Sequence, residues 1–155
     1  MPPAARITDI TAHGSPMLPG PGSSNVMIGF LPAWRAMSPA AVAAFVALIA
    51  KIMVNVNKLA TALTSSNAPV AAEATKALSD QIPEALNMIA SMDTIVCPTL
   101  LIGIGGPPHG PGVVIGGSTT VMINNLPAAR VGDTIQETMS VNTVVAGCFT
   151  VIIGG

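Results

Sequence analysis

Charge is what this 155-residue chain has least of. Only 8% of its residues are Asp, Glu, Lys or Arg, against about 25% in a typical soluble domain. Tyrosine is absent and Trp34 is the single tryptophan. No run of Lys or Arg occurs, and the net charge is −1, so no face is built to neutralise nucleic-acid phosphates. There are two cysteines, Cys97 and Cys148. Two do not make a disulfide scaffold, although a single bridge between them stays open for a chain that ends outside the cell. Arg6 near the N-terminus is followed by no apolar stretch of signal-peptide length, so no Sec signal is expected. A surface this poor in charge implies cover, either from the fold itself or from another protein.

What is present is repetition. Pro3-Ala4-Ala5-Arg6, Pro32-Ala33-Trp34-Arg35 and Pro127-Ala128-Ala129-Arg130 are one phrase written three times. Val26-Met27-Ile28 and Val121-Met122-Ile123 precede two of these at an offset of 95. His13-Gly14 and His109-Gly110 pair at an offset of 96. A third copy is divided between the chain ends, with Gly147 to Gly154 as its front half and Pro3 to Asp9 as its back half. Recurrence of this kind sets the architecture before any local reading. The apolar triplets are short, partly β-branched and bounded by Gly, Asn or Pro, which predicts short strands. Val113-Val114-Ile115 and Val144-Val145 are further candidates. Gly29-Phe30 and Asn124-Asn125 fall at hairpin turns, where Phe30 suits positive φ less than the others.

Residues 39–93 interrupt the pattern. Val42, Phe45, Ile49, Ile52, Val56, Leu59 and Leu63 mark one face of a long helix. Ser38-Pro39 is its start signal, and Ser65-Ser66-Asn67 is the turn into a second helix over about 69–91, which Pro83 is expected to kink or split. Arg6 and Arg130 are followed three residues on by Asp9 and Asp133, whereas Arg35 is followed by Ser38. The repeat therefore reads as abandoned there, with an α-helical hairpin inserted.

His13, His109 and Cys148 each stand near the front edge of one copy, and Cys97 precedes His109 by twelve residues. A threefold arrangement brings these edges to one pole. Two imidazoles and two thiolates form a tetrahedral set for a zinc ion. All-protein ligation leaves no open position, which makes the metal structural. A zinc hydrolase needs an open position and a nearby base. Asp9, Asp93, Asp133 and Glu137 are the acidic residues near the metal segments, and no enzyme activity is expected.

The three Pro-Ala-x-Arg phrases, the His-Gly steps and the Cys148-Phe-Thr-Val-Ile-Ile-Gly ending together resemble the PAAR-repeat proteins, which tip the spike of type VI secretion and related contractile injection systems. The resemblance covers 1–38 and 94–155. It implies a mainly β, small conical pseudo-threefold fold of short strands, with the 39–93 hairpin as an insertion. It also implies one structural zinc near the apex, held by His13, Cys97, His109 and Cys148. Cys97-Pro98 matches the family's Cys-Pro step, although an apolar insert from Thr99 to Pro108 separates it from His109. The implied partner is a trimeric VgrG-like spike protein capped by one copy of this chain, with no nucleic acid and only transient membrane contact during delivery. The implied route is synthesis in the bacterial cytoplasm and export by the injection machine. The insertion resembles those of a PAAR-like subgroup. It is expected to pack on the cone or on an effector or chaperone rather than to span a bilayer. The alternative function is the front delivery module of a longer effector, although no toxin domain is expected within the chain as it stands.

Overall fold

A computed structural model describes residues 1–17, 20–97, 109–138 and 140–155; the apolar insert between Cys97 and His109 lies outside them. The chain divides into two compact units, Met1–Val42 with Ile89–Gly155, and Ala43–Met88.

Among the described residues, the first unit holds ten short strands: β1 Pro3–Ala4, β2 Met27–Ile28, β3 Leu31–Pro32, β4 Thr94–Cys97, β5 Gly110–Ile115, β6 Met122–Ile123, β7 Leu126–Pro127, β8 Thr134–Glu137, β9 Val141–Thr143 and β10 Cys148–Ile152. Two hairpins, β2–β3 and β6–β7, are superimposable in register: Met27 faces Pro32 and Met122 faces Pro127. Both turn through two left-handed residues, Gly29-Phe30 and Asn124-Asn125, as a two-residue type I′ hairpin demands. Phe30 adopts φ +68° despite its Cβ. The third member is made by the two chain ends, β1 pairing antiparallel with β10. β4, β5, β8 and β9 form a four-stranded antiparallel sheet in that order. Val144-Val145 falls just past β9, with Val144 bridged to Thr11.

The Pro-Ala-x-Arg phrases close a ring. Trp34 N donates to Ala5 O at 2.9 Å, Ala5 N to Ala129 O at 2.9 Å, and Ala129 N to Trp34 O at 3.0 Å. A second ring runs beside it, from Ile7 N to Pro32 O, Ala36 N to Pro127 O and Val131 N to Pro3 O, at 2.8–2.9 Å. Each copy donates to the next and the third to the first, so the backbone polar groups of all three are satisfied by symmetry. One apolar layer holds Ala4, Ala33 and Ala128 with Ile28, Ile123 and Ile153. The next holds Ala5, Trp34 and Ala129 with Ile95, Ile135, Val114 and Val144. Trp34 stands where the other copies have alanine, and is wholly buried.

The second copy is not abandoned at Ser38. Arg35 makes with Asp93 the same bonds that Arg6 makes with Asp9 and Arg130 with Asp133. In each copy the Arg backbone N and Nε reach one carboxylate oxygen and Nη2 the other, at 2.7–3.1 Å for Arg35, 2.7–3.1 Å for Arg6 and 2.7–3.4 Å for Arg130. The inserted segment opens and closes between the two partners of one ion pair. These bonds raise the Arg6 and Arg35 guanidinium pKa values, hydrogen bonding to the carboxylate outweighing burial.

The inserted helices are α1, Pro39–Thr64, and α2, Ala68–Ser91. Ser38 Oγ accepts from Ala41 N at 3.2 Å and caps α1. Asn67 caps α2 through Val70 N at 3.3 Å. α2 runs through Pro83 as one helix, so the expected split does not occur. Within α1 the buried side chains are Phe45, Leu48 and Ala62, and Asn55 Nδ2 donates to Gln81 Oε1 across the hairpin at 3.1 Å. Leu48, Asn55 and Ala62 are spaced by seven, one stripe along the helix. The expected apolar face lies beside that stripe, with Val56 and Leu63 exposed. By length and composition α1 could cross a membrane, but Lys51 sits near its middle, where a bilayer penalises charge most.

Candidate metal centre

The first unit gathers His13, Cys97, His109 and Glu137, with one ligand atom of each lying within 4.8 Å of all the others. Strand polarity explains the convergence. β4 ends at Cys97 and β8 ends at Glu137, while β5, antiparallel to both, begins just after His109. These three residues therefore share one end of the sheet. His13 follows Thr11, which bridges to Val144 beyond β9.

Three of the four obey one spacing. Asp9, Asp93 and Asp133, the partners of the three arginines, each precede a ligand candidate by four residues: His13, Cys97 and Glu137. His109 is the fourth member and comes from outside that series. Along each copy the chain passes from the Ile/Ala layer, through the ring and the Trp34 layer, to this cluster. The cluster therefore lies at the end of the unit away from the hairpin turns.

His13 Nδ1 and His109 Nδ1 lie 3.1 Å apart. Glu137 Oε2 is 3.2 Å from His13 Nδ1 and 3.3 Å from His109 Nδ1. Cys97 Sγ is 3.7 Å from His109 Nδ1. A tetrahedron with zinc–N/O bonds near 2.0–2.1 Å and a zinc–S bond near 2.3 Å has edges of about 3.3 Å between N/O atoms and about 3.6 Å to sulfur. These four separations lie close to such edges, and all four ligand atoms fall within 4.8 Å of one another, so the donor set suits a four-coordinate ion. Glu137 and Cys97 are buried, and each imidazole is about one-quarter exposed or less. A buried carboxylate facing two imidazole nitrogens and a thiol is a costly arrangement without a cation to neutralise it.

Cys148 stands apart from this group. Its Sγ lies 3.2 Å from Thr150 Oγ1, and it packs in the layer of Ala4, Ile28 and Ile123. Its counterparts are Ser23 and Ser118, each five residues before the layer isoleucine, as Cys148 is before Ile153. Ser23 Oγ accepts from Val26 N at 2.9 Å and Ser118 Oγ from Val121 N at 3.0 Å. The Cys148 thiol pKa is lowered chiefly by the Thr150 hydroxyl. The glycines before Cys148 and Ser118 are alike in their close approach to a backbone carbonyl. A Cβ on Gly147 would lie 2.6 Å from Ala4 O, and on Gly117 2.7 Å from Ala128 O. The Gly147-Cys148 step is thus the third Gly-Ser turn of the repeat. No disulfide joins the two cysteines.

Among known families, a model described as the PAAR motif matches residues 104–155. The C-terminal third of the chain carries the PAAR motif. The match takes in His109, Glu137, the third Pro-Ala-x-Arg phrase and β10. The two other PAAR phrases join it through the backbone ring. A comparison with curated proteins gives no match.

Proposed function

We propose that this chain caps the trimeric VgrG-like spike of a type VI or related injection system, as a structural tip with one zinc per chain. The ligands in this reading are His13, Cys97, His109 and Glu137, with Glu137 in the place first given to Cys148. The ion's chemistry is cross-linking. It ties β4, β5, β8 and the His13 turn where little apolar core remains, and coupling of metal binding to folding is worth on the order of 10 kcal/mol. With four protein ligands there is no site for a substrate, so the reading is non-enzymatic.

One observation carries the docking half. Met27, Met122 and Ile152 occupy equivalent positions in the three copies, and are exposed to nearly the same degree, 55%, 55% and 47%. Phe30, in the β2–β3 turn, and Phe149, on β10, are also exposed. A single chain thus presents three near-identical apolar contacts, away from the metal, and a threefold partner can meet each with one subunit. The experiment is co-purification of the chain with its cognate spike trimer. Met27→Glu with Met122→Glu should abolish the complex while zinc stays at one per chain. A complex that survives both substitutions, or a wild-type chain without zinc, defeats the corresponding half of this reading.

Residues 1–38 and 94–155 form the tip in this proposal, joined by Asp93 through its pair with Arg35, and 39–92 the added hairpin. Exposed Val46, Val56, Leu63, Ile82 and Leu86 on α1 and α2 favour an effector or chaperone as the hairpin's partner, with export through the injection machine.

A further inference from the structure

Asn142 lies on β9, opposite Ile135 of β8, and is buried. Its amide is saturated. Nδ2 donates to Glu137 Oε1 at 2.7 Å and to Thr11 Oγ1 at 2.9 Å. Oδ1 accepts from His13 N at 3.2 Å and Thr143 N at 2.7 Å. Two donors and two acceptor sites are all a carboxamide has. One side chain thus grips the carboxylate of one ligand and the backbone of another, across 124 residues of sequence.

The two oxygens of Glu137 are not equivalent. Oε2 faces both imidazoles, at 3.2 and 3.3 Å, and also receives the Ser140 hydroxyl. Oε1 accepts from Asn142 and lies 3.3 Å from His13 Nδ1. Each carboxylate oxygen has two acceptor sites, so Oε2 can take the Ser140 hydroxyl and still ligate, while the Asn142 bond to Oε1 fixes the carboxylate with Oε2 toward both imidazoles and favours ligation through that one oxygen.

We propose that Asn142 is the positioning residue of the metal centre. It holds Glu137 to one-oxygen ligation and fixes the His13 turn, and so sets both affinity and coordination number. The proposal rests on the metal reading above. Outer partners of this kind are typically worth 10–100-fold in metal affinity.

The test uses the full chain as wild type, Asn142→Ala, Asn142→Asp and Thr11→Val. Each is titrated with zinc against a competing chelator and separately loaded with Co²⁺ for visible spectroscopy. Asn142→Asp keeps the shape and replaces the donor with an acceptor. It and Asn142→Ala should bind zinc about 10–100-fold more weakly and shift the cobalt bands away from the tetrahedral pattern. Thr11→Val deletes only the partner that is not a ligand, and should leave affinity and spectrum unchanged. Wild-type affinity and spectrum in Asn142→Asp overturn the proposal and leave the metal centre standing. An equal loss in Thr11→Val overturns it too, by showing a general packing role. A wild-type chain that takes up neither metal overturns both readings.

Discussion

Asp93→Ala tests whether the second copy is held by the ion pair across the insertion. The Asp93 side chain is fully buried and Arg35 is 14% exposed. Asp93 accepts three bonds from Arg35, at 2.7–3.1 Å. After truncation the guanidinium keeps Gly22 O, at 2.8 Å, among the described residues, and the Arg35 backbone N loses the Asp93 acceptor. Removing one partner of a buried pair costs roughly 3–5 kcal/mol, and the residual exposure of Arg35 places this case near 3. With a urea slope of about 2 kcal/mol per molar, the midpoint should fall by about 1.5 M. The control is Asp80→Ala, which breaks the Lys76–Asp80 pair, whose side chains are 79% and 67% exposed; a surface i,i+4 pair is worth about 0.3–0.5 kcal/mol. Trp34, the only tryptophan and wholly buried in the first unit, reports that unit by fluorescence, while far-ultraviolet circular dichroism follows α1 and α2. Measurements with zinc and with chelator separate the pair from the metal. A midpoint for Asp93→Ala no lower than that for Asp80→Ala would refute the pairing.

Cys148→Ser should keep one zinc per chain by elemental analysis, because Ser23 and Ser118 already fill the equivalent turns, whereas Glu137→Gln should lose most of its zinc under the same chelator wash. Replacing residues 37–92 by a single glycine, which recreates the Val131-Gly132-Asp133 turn as Ala36-Gly-Asp93, should leave zinc content and Trp34 emission unchanged; unfolding of that shortened chain would show that the hairpin is needed by the first unit. Burial pushes the Asp133 carboxyl above its ordinary value against the pull of Arg130. The folded chain then holds that proton more tightly than the unfolded chain, so the stability from this group is present at low pH and lost as pH rises through the raised value. The urea midpoint of wild type relative to Asp133→Asn should therefore fall as pH rises above the ordinary aspartate range, and a rise would contradict the direction.

Much of the fold was legible because repeats announce themselves in residue type. The PAAR phrases, the hairpin turns and the Ser38 cap are local signals, and the pairing of the chain ends followed from a copy split between them. The fourth member of the cluster was not legible in the same way. Matching His-Gly with Gly-Cys aligned residues that look alike as metal ligands, whereas the copies align by backbone register. The register was present in the text: Arg6, Asp9 and His13 have the spacing of Arg130, Asp133 and Glu137, and Asp93-Thr94-Ile95 repeats Asp133-Thr134-Ile135. The insertion hid the third instance by placing Asp93 fifty-eight positions after Arg35. A carboxylate among histidines and cysteines also carries no type signal, since an isolated Glu is usually a solvated surface residue.

The place of the insertion follows from backbone strain. Between Arg and Asp the other copies have two residues, Ile7-Thr8 and Val131-Gly132. The second of each is left-handed, Thr8 at φ +72° and Gly132 at φ +92°. For a β-branched threonine that conformation costs on the order of 1 kcal/mol or more. The first of each donates in the outer ring, and Ala36 keeps that bond to Pro127 O at 2.8 Å. The inserted residues thus replace only the strained position. Ring, ion pair and ligand spacing all survive, because Asp93 resumes the copy at the step where a tight turn would have delivered it. Two helices joined by a short turn bring their outer ends back together. The long insertion therefore closes without the entropy that a flexible loop of that length would lose, and the Asp93 carboxylate needs only Arg35 to lock it.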